Sequence, residues 1–440
     1  MTTQRPLLSR AVTSAAAIAA LLPGMAMAQD GRLDVADSGD TAWMLASCAL
    51  VLVMTLPGLA LFYGGQVRSR NFLSVTIQCG AVAAVASILW VVVGYTLAFG
   101  DVGNGWLGKG NAWMMMNLGN VREGTAVPES AFALFQMAFA AIAPALMAGA
   151  WAGRARFGWV VVFAALWSLV VYAPVAHWIW GGGWLAQGVG TLDWAGGIVI
   201  HTTSGVSALV VAVMLGWRKG FPQASMPAHG PALTIAGAGL LWAGWLGLNG
   251  GSAIAANDDA AAAIIAAHVA AATAAMVWLL MERIMAGKPT AIGFAKGVVA
   301  GLATVTPAAG YISPGAAILF GAIGAPACFL AVRLVKRTLR IDDSLDVFAL
   351  HGAGGMLGAL MLGLFMSQGM GGVGYAEGMN PIAQTVAQAI GMGVVAVWSV
   401  VATVILALMA SLAFPMRVSE DAEREGLDIT SHGERAWDFD

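Results

Sequence analysis

Charge is what this 440-residue sequence has least of. Asp, Glu, Lys and Arg together make up 10% of it, against roughly 25% in an ordinary soluble domain. So few charges cannot clothe a water-facing surface, which excludes a soluble enzyme and a disordered protein. The 21 basic and 23 acidic residues nearly cancel. A nucleic-acid partner, which needs a basic face, is therefore excluded too. Cysteine is also scarce. Cys48, Cys79 and Cys328 lie in apolar stretches without metal-ligand spacing and read as small buried residues. What fills the chain instead is 59% hydrophobic residues, 57 Gly and 17 Trp.

The first 28 residues read as a secretory leader. Arg5 and Arg10 make a basic start, Ala11 to Leu22 is apolar, and Ala26-Met27-Ala28 is a small-x-small cleavage site. A short 29–40 segment outside the cytoplasm would follow it. A membrane helix needs about 20 mostly apolar residues. Eleven such runs are read, at about 41–63, 72–99, 130–152, 158–178, 196–217, 231–250, 260–283, 291–310, 314–335, 347–366 and 384–416. With the mature N-terminus outside, the cytoplasmic loops carry twelve cations, Arg68, Arg70, Arg154, Arg156, Arg218 and Lys219 among them; the opposite loops carry Lys109 and Arg122. That asymmetry is the positive-inside pattern and puts the 417–440 tail in the cytoplasm. The tail's 24 residues are too few for a kinase or cyclase domain.

Helices one to five and six to ten then form two halves of opposite orientation, with the eleventh outside. His201 and His351 fall in the fifth member of each half. Each follows an Asp (Asp193, Asp346) and precedes a Gly four residues on (Gly205, Gly355). Inverted halves bring such equivalent positions near a common midplane axis, so the two imidazoles are expected to meet. Facing imidazoles in an apolar passage can ligate a metal or haem, relay protons, or line a pore. No further ligand is apparent, which favours relay or pore lining. His177, beside Trp178 and Trp180, reads as an interfacial structural residue, and His268 is assigned no chemistry. Asp193 and Asp346 each stand just before a helix and read as N-terminal caps. Phe139 and Trp180 fall near outer helix ends, where an aromatic belt and a cation-binding ring face are both available readings. Gly293-x3-Gly297-x3-Gly301 reads as helix packing, and Gly181-Gly182-Gly183 as a turn.

Several stretches become specific when taken together: Phe62-Tyr63-Gly64-Gly65, Trp180-Gly181-Gly182-Gly183, Asp193-Trp194-Ala195-Gly196-Gly197 before His201, Gly244-Trp245-Leu246-Gly247-Leu248-Asn249 with Gly251-Ser252, Thr306-Pro307-Ala308-Ala309-Gly310-Tyr311, and Asp346-Val347-Phe348-Ala349-Leu350-His351-Gly352. The tail adds Arg424-Glu425-Gly426-Leu427-Asp428 and Ser431-His432-Gly433-Glu434. From about residue 38 to 436 the sequence resembles the ammonium transporter (Amt/Mep/Rh) family on its bacterial Amt branch. The resemblance implies an all-α membrane protein with a pore inside each subunit of a homotrimer in the bacterial inner membrane. It places an outer ammonium site at Trp180 and Ser252, supported by Asp193. A gate phenylalanine matches Phe139, in Phe135-Gln136-Met137-Ala138-Phe139, and the pore histidines match His201 and His351. The second gate phenylalanine falls on Leu248, a departure that removes one ring face. A PII-type signalling protein on the cytoplasmic face is implied as partner of the tail, with the bilayer around the rest.

The resemblance implies no enzyme activity and no cofactor. Three readings compete at this stage: an ammonium transporter, an ammonium receptor that passes little, and a carrier with a histidine-ligated cofactor.

Overall fold

Helix starts in this chain are written in its capping residues. The side chains of Asp37, Asn257, Thr290, Ser313 and Asn380 each accept a backbone N–H from the first turn that follows, and Pro opens the helix after Ser313 and after Asn380. A computed structural model describes residues 35–110, 113–223 and 226–437. The leader read over 1–28 lies outside them, as do residues 29–34.

The long helices, in chain order, are α1 (Ser38–Gln66), α2 (Ser69–Phe99), α3 (Glu129–Trp151), α4 (Phe157–Ile179), α5 (Gly197–Leu215), α6 (Pro231–Gly251), α7 (Asp258–Ala286), α8 (Ala291–Val305), α9 (Pro314–Thr338), α10 (Phe348–Phe365) and α11 (Pro381–Ala413). Apart from the C-terminus of α8, their ends lie within three residues of the sequence reading. Ten of them, among the described residues, are long and apolar enough to cross a membrane. The other, α8, has 15 residues and spans about 22 Å, short of a ~30 Å hydrocarbon core. It ends where Thr306 and Pro307 begin a turn. Two short helices, α12 (Glu420–Glu425) and α13 (Leu427–His432), form the tail. A two-residue ladder, Asp101–Val102 against Gly108–Lys109, folds the loop after α2.

Small residues set the packing. A side chain at Gly301 or at Gly321 would stand 2.4 Å from Ala270 O, so α8 and α9 close on the Ala-rich α7 only because those positions are bare. The outward faces keep large apolar side chains, such as Ile382 at 76% and Leu412 at 89% exposure, as a lipid-facing surface does.

The end of the bundle that carries the tail gathers the charges. Arg154, fully buried, donates to Asp342 O and to Ser344 Oγ, both at 2.5 Å, and Arg218 forks onto the Asp342 carboxylate. Arg68 donates to Glu423 O at 2.6 Å, Arg70 to Arg424 O at 2.7 Å, and Arg417 pairs with Glu423 at 2.7 Å. The loop cations that set the orientation argument therefore share one end.

Asp346 departs from its sequence reading. It does not cap α10; Phe348 N–H donates to Asp343 Oδ2 at 2.8 Å instead. Asp346 sits at φ +66° and accepts Lys296 at 2.6 Å and Lys336 at 2.5 Å. Burial works against its ionisation, yet the two ammonium groups hold its carboxyl down at about 2. Two lysines from α8 and α9 outbid the helix terminus, because a full charge attracts more strongly than a helix dipole.

Candidate functional site

At the other end of the bundle, the chain between α4 and α5 folds back into the helices and forms one wall of a recess of about 270 Å³. Asp193 organises that wall. Its Oδ1 accepts the N–H groups of Gly196 and Gly197 at 2.9 and 2.7 Å; its Oδ2 accepts those of Ile198 and Val199 at 2.7 and 2.9 Å. All four orphan donors at the α5 N-terminus are thus satisfied by one carboxylate. Burial pushes the Asp193 carboxyl up to about 6, against the pull of those four bonds. The capping role read from sequence is met here in full.

Two donors around the recess are already spent, and this decides what they present. Trp180 Nε1 donates to Asp193 O at 2.7 Å, which leaves the indole ring, not its N–H, on the recess. Ser252 Oγ donates to Leu248 O at 2.9 Å, so toward the recess its hydroxyl can only accept. Phe139 stands 5.8 Å from Trp180 and 4.7 Å from Phe135, ring centre to ring centre. It is 1% exposed and faces inward, so the belt reading does not hold for it. Ring faces plus acceptors, with no free donor among these side chains, make a place for a small cation that donates hydrogen bonds.

Other lining residues were not singled out from sequence. Gln136 lies one turn before Phe139, and its Oε1 has no hydrogen-bond partner among the described residues. Its sequence signal was its place in the Phe135–Phe139 stretch. Trp194 donates its indole N–H to Asn249 O at 2.8 Å and packs edge-on against Tyr311. Ile254 also lines the recess at φ +55°, a left-handed conformation that a β-branched residue adopts only when its surroundings compel it. No sequence pattern announces that.

Helix α6 leads inward from the recess. Trp245, Leu248 and Ser252 share one face at i, i+3 and i+7, a descent of about 10 Å. Leu248 is fully buried between the other two. Trp245, anchored by its indole N–H on Thr306 Oγ1 at 2.8 Å, lies face to face with both histidines at 5.2 and 6.3 Å. His201 and His351 meet, with Nδ1 to Nδ1 at 3.2 Å and ring centres 5.2 Å apart. One Nδ1 must donate and the other accept, so this contact holds a single proton and would be broken by a second. His201 Nε2 has no partner among the described residues.

The backbone explains how two helices bring their rings so close. Each histidine sits in a π-helical turn, Gly197–Thr202 and Phe348–Gly352, the widened geometry often found at functional sites. The glycines four residues on permit the crossing. A Cβ on Gly205 would be 2.3 Å from Gly352, and one on Gly355 would be 2.6 Å from Gly197 O. Among the described residues no three His, Cys, Asp or Glu side chains converge to hold a metal. His177 is fully buried and bonded to Ala98 O at 3.0 Å, so it holds helices together rather than facing an interface.

The tail residues fold back on their own chain. Asp428 accepts Leu73 and Ser74 N–H at 3.1 and 2.8 Å, at the start of the α-helical part of α2, which begins at Phe72. The Arg424 and Glu425 carbonyls accept Arg70. Leu427 is fully buried, and Gly426 takes φ +111° where a side chain would strike Arg70.

With this geometry in view, the similarities to known proteins are consistent. Residues 42–437 match the model of the Ammonium Transporter Family. An ammonium transporter of Aquifex aeolicus is 40% identical over 423 residues, covering 96% of this chain and 98% of that one. The Bacillus subtilis ammonium transporter is 42% identical over 404 residues, covering 91% and 98%. Among solved structures, Saccharomyces cerevisiae Mep2 superposes with a TM-score of 0.81 at 34% identity, covering 89% and 90%. A protein described as a Sensor Amt Protein gives 0.84 at 27% identity, covering 90% and 98%. The chain is a multi-pass membrane protein and belongs to the ammonium transporter family.

Proposed function

We propose that the protein captures NH4+ in the recess at Phe139, Trp180 and Ser252, takes a proton from it, and passes NH3 inward past Phe139 and Leu248 to the His201–His351 pair. The observation that carries this reading is the descent along α6, from an acceptor-and-ring recess through an apolar constriction to two linked imidazoles. NH4+ and K+ are close in size, so size alone selects poorly. An apolar constriction charges a large desolvation cost to any ion that stays charged. NH4+ can shed its charge as a proton, and K+ cannot. The histidine pair supplies hydrogen-bond partners for NH3 and a route by which the released proton can travel separately. Asp193 supports the recess by fixing its wall.

In this reading α8 and the turn after it complete the eleventh crossing, α1–α5 and α6–α10 are inverted halves, and each subunit of a homotrimer in the inner membrane encloses its own pore. The N-terminus lies outside and the tail inside. The tail, held on Arg68 just before α2 and on Arg70 in its first turn, would receive a PII-type protein. A pull-down with the cognate PII protein, with and without ADP, is expected to retain it in one nucleotide state and to lose it when residues 424–428 are replaced by alanine and glycine; no retention in either state counts against the partner.

The alternative is a receptor that binds ammonium and passes little. Leu248, which lacks the ring face of a second gate phenylalanine, favours it, as does the likeness to the Sensor Amt Protein. Ammonium-evoked current in proteoliposomes separates the two. A saturable wild-type current, absent with K+, is expected, and Leu248→Phe should strengthen apparent affinity by up to about tenfold, the worth of one cation–π contact. Current in Leu248→Phe alone would make the wild type a receptor. Silence in both, with no uptake of labelled methylammonium, would end the transport reading.

A further inference from the structure

Beside the recess lies a wider cavity of about 640 Å³, and the two share Phe99, Ile179 and Trp180. A fixed cation stands at their junction. The Arg122 guanidinium lies 4.5 Å from the ring centre of Phe132 and 5.5 Å from that of Phe99. Both rings line the recess. Arg122 Nη1 is 3.1 Å from Glu129 Oε1, and Glu129 also accepts the Tyr95 hydroxyl. The loop that carries it is pinned on both sides, with Arg122 N–H on Val127 O at 2.8 Å and Glu129 N–H on Asn120 O at 2.8 Å. The arginine is therefore held in place over the rings rather than sampling solvent.

A ring face attracts whichever cation reaches it, and a guanidinium already seated there excludes another. The charged residues lining the wider cavity are Asp101, Glu123 and Glu129 with Arg122. Without the arginine, the Glu129 carboxylate would lose its ion-pair partner and, with Glu123 beside it in the lining, would concentrate any cation on the approach, K+ as readily as NH4+. With it, the Glu129 charge is offset before the cation reaches Trp180 and Ser252, where hydrogen-bond donation can be tested.

We propose that Arg122 is a tethered competitor cation, a positioning residue on the approach that lowers the affinity of the recess and keeps its choice with the hydrogen-bonding site. The inference rests on the reading of the recess as an ammonium site.

The test is a charge cycle in the full-length protein reconstituted into proteoliposomes, with methylammonium uptake at low and high ionic strength. Arg122→Gln is expected to lower KM by about three- to tenfold at low salt with little change in kcat, and to make uptake more sensitive to K+. High salt should shrink the difference. Arg122→Lys should stay near the wild type, Glu129→Gln should raise KM, and the double variant should return toward it. A KM that is unchanged or raised in Arg122→Gln overturns the proposal, and so does an equal effect of Lys and Gln, which would mark a packing role. Should Arg122→Gln fail to fold, an unchanged KM in Glu129→Gln overturns it. If the wild type carries no methylammonium, the transport reading fails by itself. Calorimetric titration of the purified protein with ammonium chloride then decides: tighter binding by Arg122→Gln supports the competitor, and equal or weaker binding overturns it.

Discussion

Replacing His201 and His351 together with leucine is expected to cut ammonium uptake by about ten- to a hundredfold while leaving the fold intact. The functional loss follows from the hydrogen bonds. NH3 entering the passage loses water on every side, and each hydrogen bond it cannot remake costs on the order of 1 kcal/mol. Two lost partners therefore slow passage by one to two orders of magnitude. The structural tolerance follows from the surroundings. The pair is buried at 1 and 2% exposure, stacked on Trp245, and bonded mainly to itself. Two apolar side chains of similar volume leave no charge or donor stranded there. Uptake of labelled methylammonium, read beside the thermal unfolding midpoint in detergent, checks both halves. Unchanged uptake with unchanged exclusion of K+ would remove the histidines from the mechanism. A collapsed midpoint would make them structural.

Asp193→Ala is expected to do the opposite, failing first in stability. It strands four N–H groups at the buried start of α5, the helix that carries His201. Each unsatisfied donor costs about 1–3 kcal/mol, and partial entry of water through the recess reduces the sum to roughly 3–5 kcal/mol. Asp193→Asn keeps one accepting oxygen but turns an NH2 toward two donors, so it should fall between. Thermal unfolding in detergent is expected to rank wild type above Asn above Ala, with transport lost in Ala. An Asn variant as stable as the wild type would show that the second carboxylate oxygen contributes little, against the bonding seen.

How much of this was legible in the sequence depends on the distance over which each feature is determined. Membrane helices are local objects: twenty apolar residues between polar caps suffice. Their ends were readable for that reason, and α8 was misjudged at its C-terminus because apolar Ala308 and Ala309 continue the run through a turn made by Thr306 and Pro307. The meeting of His201 and His351 was legible because the sequence around each imidazole repeats one pattern, Asp before and Gly after. The role of those glycines was not; it lies in a backbone crossing that would leave a Cβ 2.3 Å from its neighbour.

Asp193 and Asp346 show where the sequence by itself stops. Both precede a helix that carries a histidine, and both read as caps. Asp193 is one, since the chain folds its carboxylate back over four free N–H groups. Asp346 is not, since α8 and α9 deliver Lys296 and Lys336 to it and Asp343 takes the helix start. Nothing within a few residues of Asp346 encodes two lysines that lie 50 positions before it and 10 before it. The same holds for the recess. The sequence determined that the chain is a bundle of apolar helices with loop cations of alternating count, because hydropathy and charge act residue by residue. The tertiary structure decided that Trp180 shows its ring and not its N–H, because the partner that consumes its proton is Asp193 O, thirteen residues on, where the chain folds back before α5; Ser252 turns its lone pairs to the recess through a local bond to Leu248 O, four residues earlier.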